Sequence, residues 1–229
     1  MSNKETSQVI AAILLSCAGV FMVFGMPFFV GGLISELGFS QAQANLISSA
    51  EIAGMAFSSL LGAAWIGRFN WRHIAMFGLL AILGGNLVSC YVDNFQALVA
   101  TRFITGLLGH GTAFALGIAA IGSTSQPDRN FGFTIASQVV MGALTALIVP
   151  KTIATYGIAG MCVPAAILAV VAMVFMPRLA TSGHAQNTDP VQSKKTGILI
   201  LPLLGLFIMI IWQMGVGPFF NNLVPYGIS

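Results

Sequence analysis

Residues 9–33 read VIAAILLSCAGVFMVFGMPFFVGGL, 25 positions without one charged side chain. About 20 mostly apolar residues are enough for a helix to cross the hydrocarbon core of a bilayer. Lys4, just ahead of the run, imitates the basic region of a secretory signal. A signal's apolar region, however, ends after roughly 7–15 residues. The stretch is expected to be an uncleaved first span.

Six further runs of the same kind follow, at 44–66, 74–91, 97–122, 131–150, 158–176 and 198–221. The breaks at 36–43, 67–73, 92–96, 123–130 and 151–157 are short and polar. The break at 177–197 is longer, rich in Ser, Thr, Asn, Gln and Lys, and has the composition of a flexible linker. Composition agrees with this reading. The 229 residues are 57% hydrophobic and 7% charged, with a mean hydropathy of +0.91. A water-soluble domain carries roughly 25% charged residues, so this chain cannot clothe itself against water and the lipid bilayer is its main partner. Its net charge of +3 comes from dispersed basic residues, a pattern that argues against nucleic acid as a partner. Cys17, Cys90 and Cys162 each lie in an apolar run. Their spacing is neither a disulfide framework nor a metal-ligand set, and they read as small buried hydrophobes. No cofactor or metal is expected.

Loop charges set the orientation. With the N-terminus in the cytoplasm, Lys4, Arg68, Arg72, Arg129, Arg178, Lys194 and Lys195 are all cytoplasmic, and only Lys151 is outside. That bias is the positive-inside pattern of a multi-pass protein of a bacterial plasma (inner) membrane. A faint repeat links the ends of spans one and seven: Pro27-Phe28-Phe29 then Gly38-Phe39-Ser40, and Pro218-Phe219-Phe220 then Gly227-Ile228-Ser229. Copies six spans apart cross in the same direction, as parallel repeats do.

Two ionisable groups sit well inside spans. Glu51 is seven residues into span two and Arg102 five residues into span four, so both lie roughly 8–11 Å below the outer boundary at about 1.5 Å per residue. A charge at that depth is costly unless paired or hydrated. Glu51 shares a helix face with Ser48, Met55, Ser58 and Gly62. Glu51 and Arg102 are therefore candidates for solute or proton coupling, or for a structural ion pair holding two helices in register. His110, near the middle of span four, is a candidate site residue or a hydrogen-bonded packing residue. Gln138, Trp212, Gln213, Asn221 and Asn222 are further candidates for solute contact, and each can equally bond a backbone carbonyl.

Span four also carries the pattern Arg102-Phe103-Ile104-Thr105-Gly106-Leu107-Leu108-Gly109-His110-Gly111. On a regular helix Arg102, Gly106, Gly109, Ala113 and Gly117 share a face, and small residues there admit a close neighbour. The stretch resembles the Arg-x-x-x-Gly-x-x-Gly-x-Gly pattern of the fourth helix of the major facilitator superfamily. The loop after span two resembles that superfamily's Gly-x-x-x-Asp-Arg-x-Gly-Arg-Arg signature. Arg68 and Arg72 are kept, while Ala63, Gly67, Asn70 and Trp71 replace a Gly, the Asp, a second Gly and an Arg. The fifth-helix Gly-x-x-x-Gly-Pro-x-x-Gly-Gly pattern of drug/proton antiporters is not matched: Gly142 and Pro150 stand at the wrong spacing.

The resemblance implies an all-α membrane protein with a six-helix bundle at 1–178, made of two inverted three-helix repeats. A cytoplasmic central loop at 179–197 and the first helix of a truncated second bundle at 198–229 would follow. It implies a secondary transporter that moves a small solute, with a proton as candidate co-substrate, by alternating access. The alternatives are a non-transporting membrane fragment and a half-transporter needing a partner chain. An intramembrane enzyme is not indicated. There is no Gly-x-Ser-x-Gly, no His-Glu-x-x-His and a single His within the spans. Nor does span seven carry the Lys that a retinal Schiff base needs.

Overall fold

The computed structural model describes residues 3–183, which are helical apart from short connections. Span seven, and the central loop beyond Gly183, lie outside the described residues.

Among the described residues, six rods are long and apolar enough to cross a membrane. They are α1 (Asn3–Leu37), α2 (Gln41–Trp65), α3 (Trp71–Ser89), α4 (Phe95–Gly122), α5 (Pro127–Tyr156) and α6 (Ala159–Phe175). Local chemistry explains the breaks. Gly38, at φ 67°, ends α1 in a left-handed conformation that glycine adopts without strain. Ser40 then opens α2 with a capping box: its hydroxyl accepts from Gln43 N at 3.3 Å, and its own N–H donates to Gln43 Oε1 at 3.0 Å. The Asn70 and Asn94 side chains cap α3 and α4 by accepting from Arg72 N at 2.9 Å and Ala97 N at 3.1 Å. Pro127 stands in the first turn of α5, where its missing N–H is no loss.

The break expected at 151–157 is corrected. α5 runs through Pro150 and Lys151 to Tyr156, and Gly157, at φ 60°, supplies the stop. Proline inside a membrane helix is tolerated where its surroundings satisfy the freed carbonyl.

The strongest helix pairings are α1 with α4, α5 and α6, α2 with α4, and α3 with α4 and α6. This set maps onto itself when helices one to three are exchanged for four to six. α1 and α4 are thus the two central rods. Two apolar clusters fill the bundle. One gathers Leu15, Trp71, Leu79, Leu116 and Ala169. The other gathers Met26, Phe29, Ile47, Leu98 and Met161. Large apolar side chains also cover the outside: Leu60 is 74% exposed and Leu147 68%, positions suited to hydrocarbon and not to water.

α4 is not a uniform helix. Between Phe95–Ile104 and Gly111–Gly122 it passes through a π-helical turn, Thr105–His110, in which Gly111 N–H reaches back five residues to the Gly106 carbonyl. Such a turn absorbs one extra residue. In a regular α-helix, residues eight apart are offset by about 80°, and the inserted residue reduces this to about 20°. Arg102 and His110 are thereby turned to the same side. The single glycine face expected for this helix is corrected for the same reason. A Cβ on Gly106 would overlap the Glu51 carbonyl of α2, one on Gly109 would press on Ile82 of α3, and one on Gly117 on Ser16 of α1.

Candidate functional site

The close approach of α2 to α4 sets the geometry. Gly54 and Gly106 lie where the two backbones touch: a Cβ on Gly54 would overlap the Phe103 carbonyl, just as one on Gly106 would overlap that of Glu51. No side chain separates the helices there, so the carboxylate of α2 reaches the guanidinium of α4 directly.

Arg102 and Glu51 are both wholly buried and form a two-point ion pair. Arg102 Nε donates to Glu51 Oε2 at 3.1 Å, and Nη2 donates to Glu51 Oε1. The remaining terminal nitrogen, Nη1, donates to Asn86 Oδ1 at 3.1 Å and to Ser89 Oγ at 3.2 Å, both on α3. These bonds use four of the five N–H groups of a guanidinium. The flat face of Arg102 lies 5.4 Å from the centroid of the Phe29 ring on α1, a favourable cation–π placement. One cation therefore ties its own helix, α4, to α1, α2 and α3.

His110 completes the cluster. Its Nδ1 lies 3.0 Å from the Ala18 carbonyl of α1, and because a carbonyl only accepts, Nδ1 carries the proton. In the neutral ring Nε2 then accepts from Asn86 Nδ2 at 3.4 Å, while the same amide donates to the Ile82 carbonyl at 2.8 Å. His110 Nε2 is also 3.6 Å from Glu51 Oε1. With His110 neutral, the cluster holds one positive and one negative charge, each with defined partners. A second proton on His110 would turn its contact with Asn86 into donor facing donor.

The structure thus brings together Glu51, Arg102 and His110. Gln138 stays apart: half-buried on α5, it donates to Ser16 Oγ of α1 at 3.4 Å. Trp212, Gln213, Asn221 and Asn222 lie outside the described residues. Of the loop pair, Arg68 is exposed. Arg72 turns back to donate from Nε to the Leu179 carbonyl at 2.6 Å, next to a bond from Trp71 N to the Thr181 carbonyl at 2.9 Å. The loop after α2 is thereby fastened to the chain leaving α6. Asn86 and Ser89 were missed in the sequence. Asn86 is the only carboxamide in the run 74–91, and a lone amide at membrane depth is itself a signal for an interhelical bond.

A six-rod helical membrane bundle with a buried, hydrogen-bonded ion pair between its second and fourth rods defines a class: polytopic α-helical membrane proteins with charged groups held inside the protein. Comparison with known proteins supplies the family. The family model of the Major Facilitator Superfamily matches residues 9–229, and the chain belongs to that superfamily. It is 29% identical over 212 residues to the 4-hydroxybenzoate transporter PcaK of Pseudomonas putida, covering 88% of this chain and 46% of that protein. It is 27% identical over 171 residues to the multidrug resistance protein MdtL of Klebsiella pneumoniae, covering 70% of this chain and 42% of that one. A crystal structure of a peptide transporter POT superposes with a TM-score of 0.64 at 18% identity, covering 96% of this chain and 47% of that chain. That likeness shows the fold. The chain spans about half the length of the proteins it matches.

Proposed function

We propose that the chain is part of a secondary transporter of a small organic anion, and that Arg102 is the group the anion addresses. The observation that carries this reading is the buried two-point pair between Arg102 and Glu51, with His110 3.6 Å from the same carboxylate oxygen. A solute carboxylate presents the same two oxygens to a guanidinium as Glu51 does, so one can replace the other with the hydrogen-bond pattern kept. A proton on Glu51 would release Arg102 to the solute, and departure of the solute would restore the pair. Proton and anion would then travel together. The name of the Pseudomonas putida relative points to aromatic carboxylates as the first class to try. The orientation proposed is N-terminus in the cytoplasm, in a bacterial inner membrane.

The complete burial of both partners favours a second reading, in which the pair only pins α2 to α4. Uptake separates the two. Proteoliposomes are loaded with the protein and given an inward proton gradient, and labelled 4-hydroxybenzoate is followed. Gradient-driven accumulation is expected for the native residues. Glu51→Gln is expected to abolish that accumulation while sparing solute exchange. Accumulation unchanged by Glu51→Gln would leave Glu51 a structural role only.

A further inference from the structure

The π-turn of α4 takes from one carbonyl the N–H that a regular helix would give it, and a hydroxyl serves that carbonyl instead. In a regular helix Gly111 N–H would donate to the Leu107 carbonyl, but here it reaches back to Gly106. The Leu107 carbonyl accepts from Thr112 Oγ1 at 3.2 Å, five residues on. Thr105, Thr134 and Thr145 each donate four residues back, as threonines in regular helices do. The five-residue reach of Thr112 therefore marks the inserted residue. The same hydroxyl ties the turn to α2. Its one proton is committed to the carbonyl, so Ser58 Oγ donates to it at 3.0 Å. Both residues are buried. Glycines give this contact its room. A Cβ on Gly111 would stand 2.6 Å from Ser58 Cβ, and one on Gly78 of α3 would stand 3.3 Å from Thr112 Cγ2. The Thr112 side chain is thus fixed from two directions, its hydroxyl toward α2 and its methyl toward α3.

We propose that Ser58 and Thr112 are positioning residues: their hydroxyl relay, from α2 to the Leu107 carbonyl, fixes the π-turn at Thr105–His110, and the turn holds His110 against Glu51. Both act through the turn, since the imidazole itself bonds to Ala18 and Asn86. If the extra residue moved past His110, the ring would stand about 80° from Arg102 around the helix axis. It would then leave the Glu51 carboxylate, now 3.6 Å away, and the Ala18 carbonyl that holds its Nδ1 proton. A shifted turn would also strip the Leu107 carbonyl of its hydroxyl partner, at a depth where no water replaces it. The consequence for proton-linked transport rests on the function proposed above. The placement of His110 does not.

The test follows the His110 ring by nitrogen NMR of the full chain in detergent, with isotope-labelled histidine. The His110 signals are those that disappear in His110→Gln. The native protein is expected to show the ring protonated on Nδ1, as the Ala18 carbonyl requires. Thr112→Val keeps the side-chain shape without the hydroxyl, and is expected to shift His110 to the Nε2-protonated ring that free imidazole prefers. Thr112→Ser returns the hydroxyl and is expected to return the native ring. Ser58→Ala leaves the bond from Thr112 to Leu107 in place and is expected to give a mixture of the two forms. It decides the matter if Thr112→Val does not fold. A native Nδ1-protonated ring in Thr112→Val, or in Ser58→Ala where Thr112→Val does not fold, overturns the proposal. So does a shifted ring in Thr112→Ser. In proteoliposomes, Thr112→Val is expected to lose gradient-driven accumulation of 4-hydroxybenzoate and Thr112→Ser to keep it. Accumulation kept by Thr112→Val with a shifted ring would overturn the link to transport. No accumulation by the native protein would overturn the transport reading and leave the NMR result to decide the placement.

Discussion

Removing one partner of the Glu51–Arg102 pair should damage this bundle more than removing both. Breaking a buried ion pair from one side leaves an uncompensated charge and costs about 3–5 kcal/mol. The partners on the page rank the two single changes. Glu51→Gln leaves Arg102 its bonds to Asn86 and Ser89 and the Phe29 face, so its cost should fall near 3 kcal/mol. Arg102→Met leaves Glu51 with His110 as its one remaining neighbour in the cluster and also takes the donor from Asn86 Oδ1 and Ser89 Oγ. Its cost should approach 5 kcal/mol. The double change leaves no charge, only an amide and a hydroxyl short of a donor, at about 1–3 kcal/mol. The two single costs together should therefore exceed the double by about 5–7 kcal/mol. Equilibrium unfolding of the four proteins in detergent, followed by circular dichroism, measures that difference. Costs that add to within about 0.5 kcal/mol would show that the charges do not interact, and the site described here would fall with them.

The crossing of α2 and α4 can be tested without touching a charge. Gly106→Ala forces a methyl against the Glu51 backbone, which cannot swing aside, and should lower stability by about 1–3 kcal/mol in the same unfolding assay. Gly84→Ala, where no heavy atom lies near an added Cβ, should be neutral or raise stability by up to about 1 kcal/mol. For topology, Ser182→Cys in intact cells should resist a membrane-impermeant thiol reagent, while Thr155→Cys, exposed on the last turn of α5, should react. The reverse pattern would invert the bundle.

The amino-acid sequence by itself determined that this is a membrane-spanning helical protein. Runs of about 20 apolar residues have no other stable home than lipid, and their starts at 44, 74 and 97 fall within three positions of the helix starts that Ser40, Asn70 and Asn94 cap in the structure. Matched depth also brought Glu51 and Arg102 forward as candidates, because an unpaired charge there is too costly to keep. Tertiary structure decided the rest. Whether Glu51 meets Arg102 depends on how closely two backbones approach at Gly54 and Gly106. That His110 joins them depends on a π-turn, which no 3.6-residue periodicity can reveal because it is the periodicity that breaks. Asn86, passed over within its apolar run, acquired its partners Arg102 and His110 only when α3 came to rest against α4. Depth along a helix axis is written in residue number; rotation about that axis, and the neighbour it selects, is set by packing.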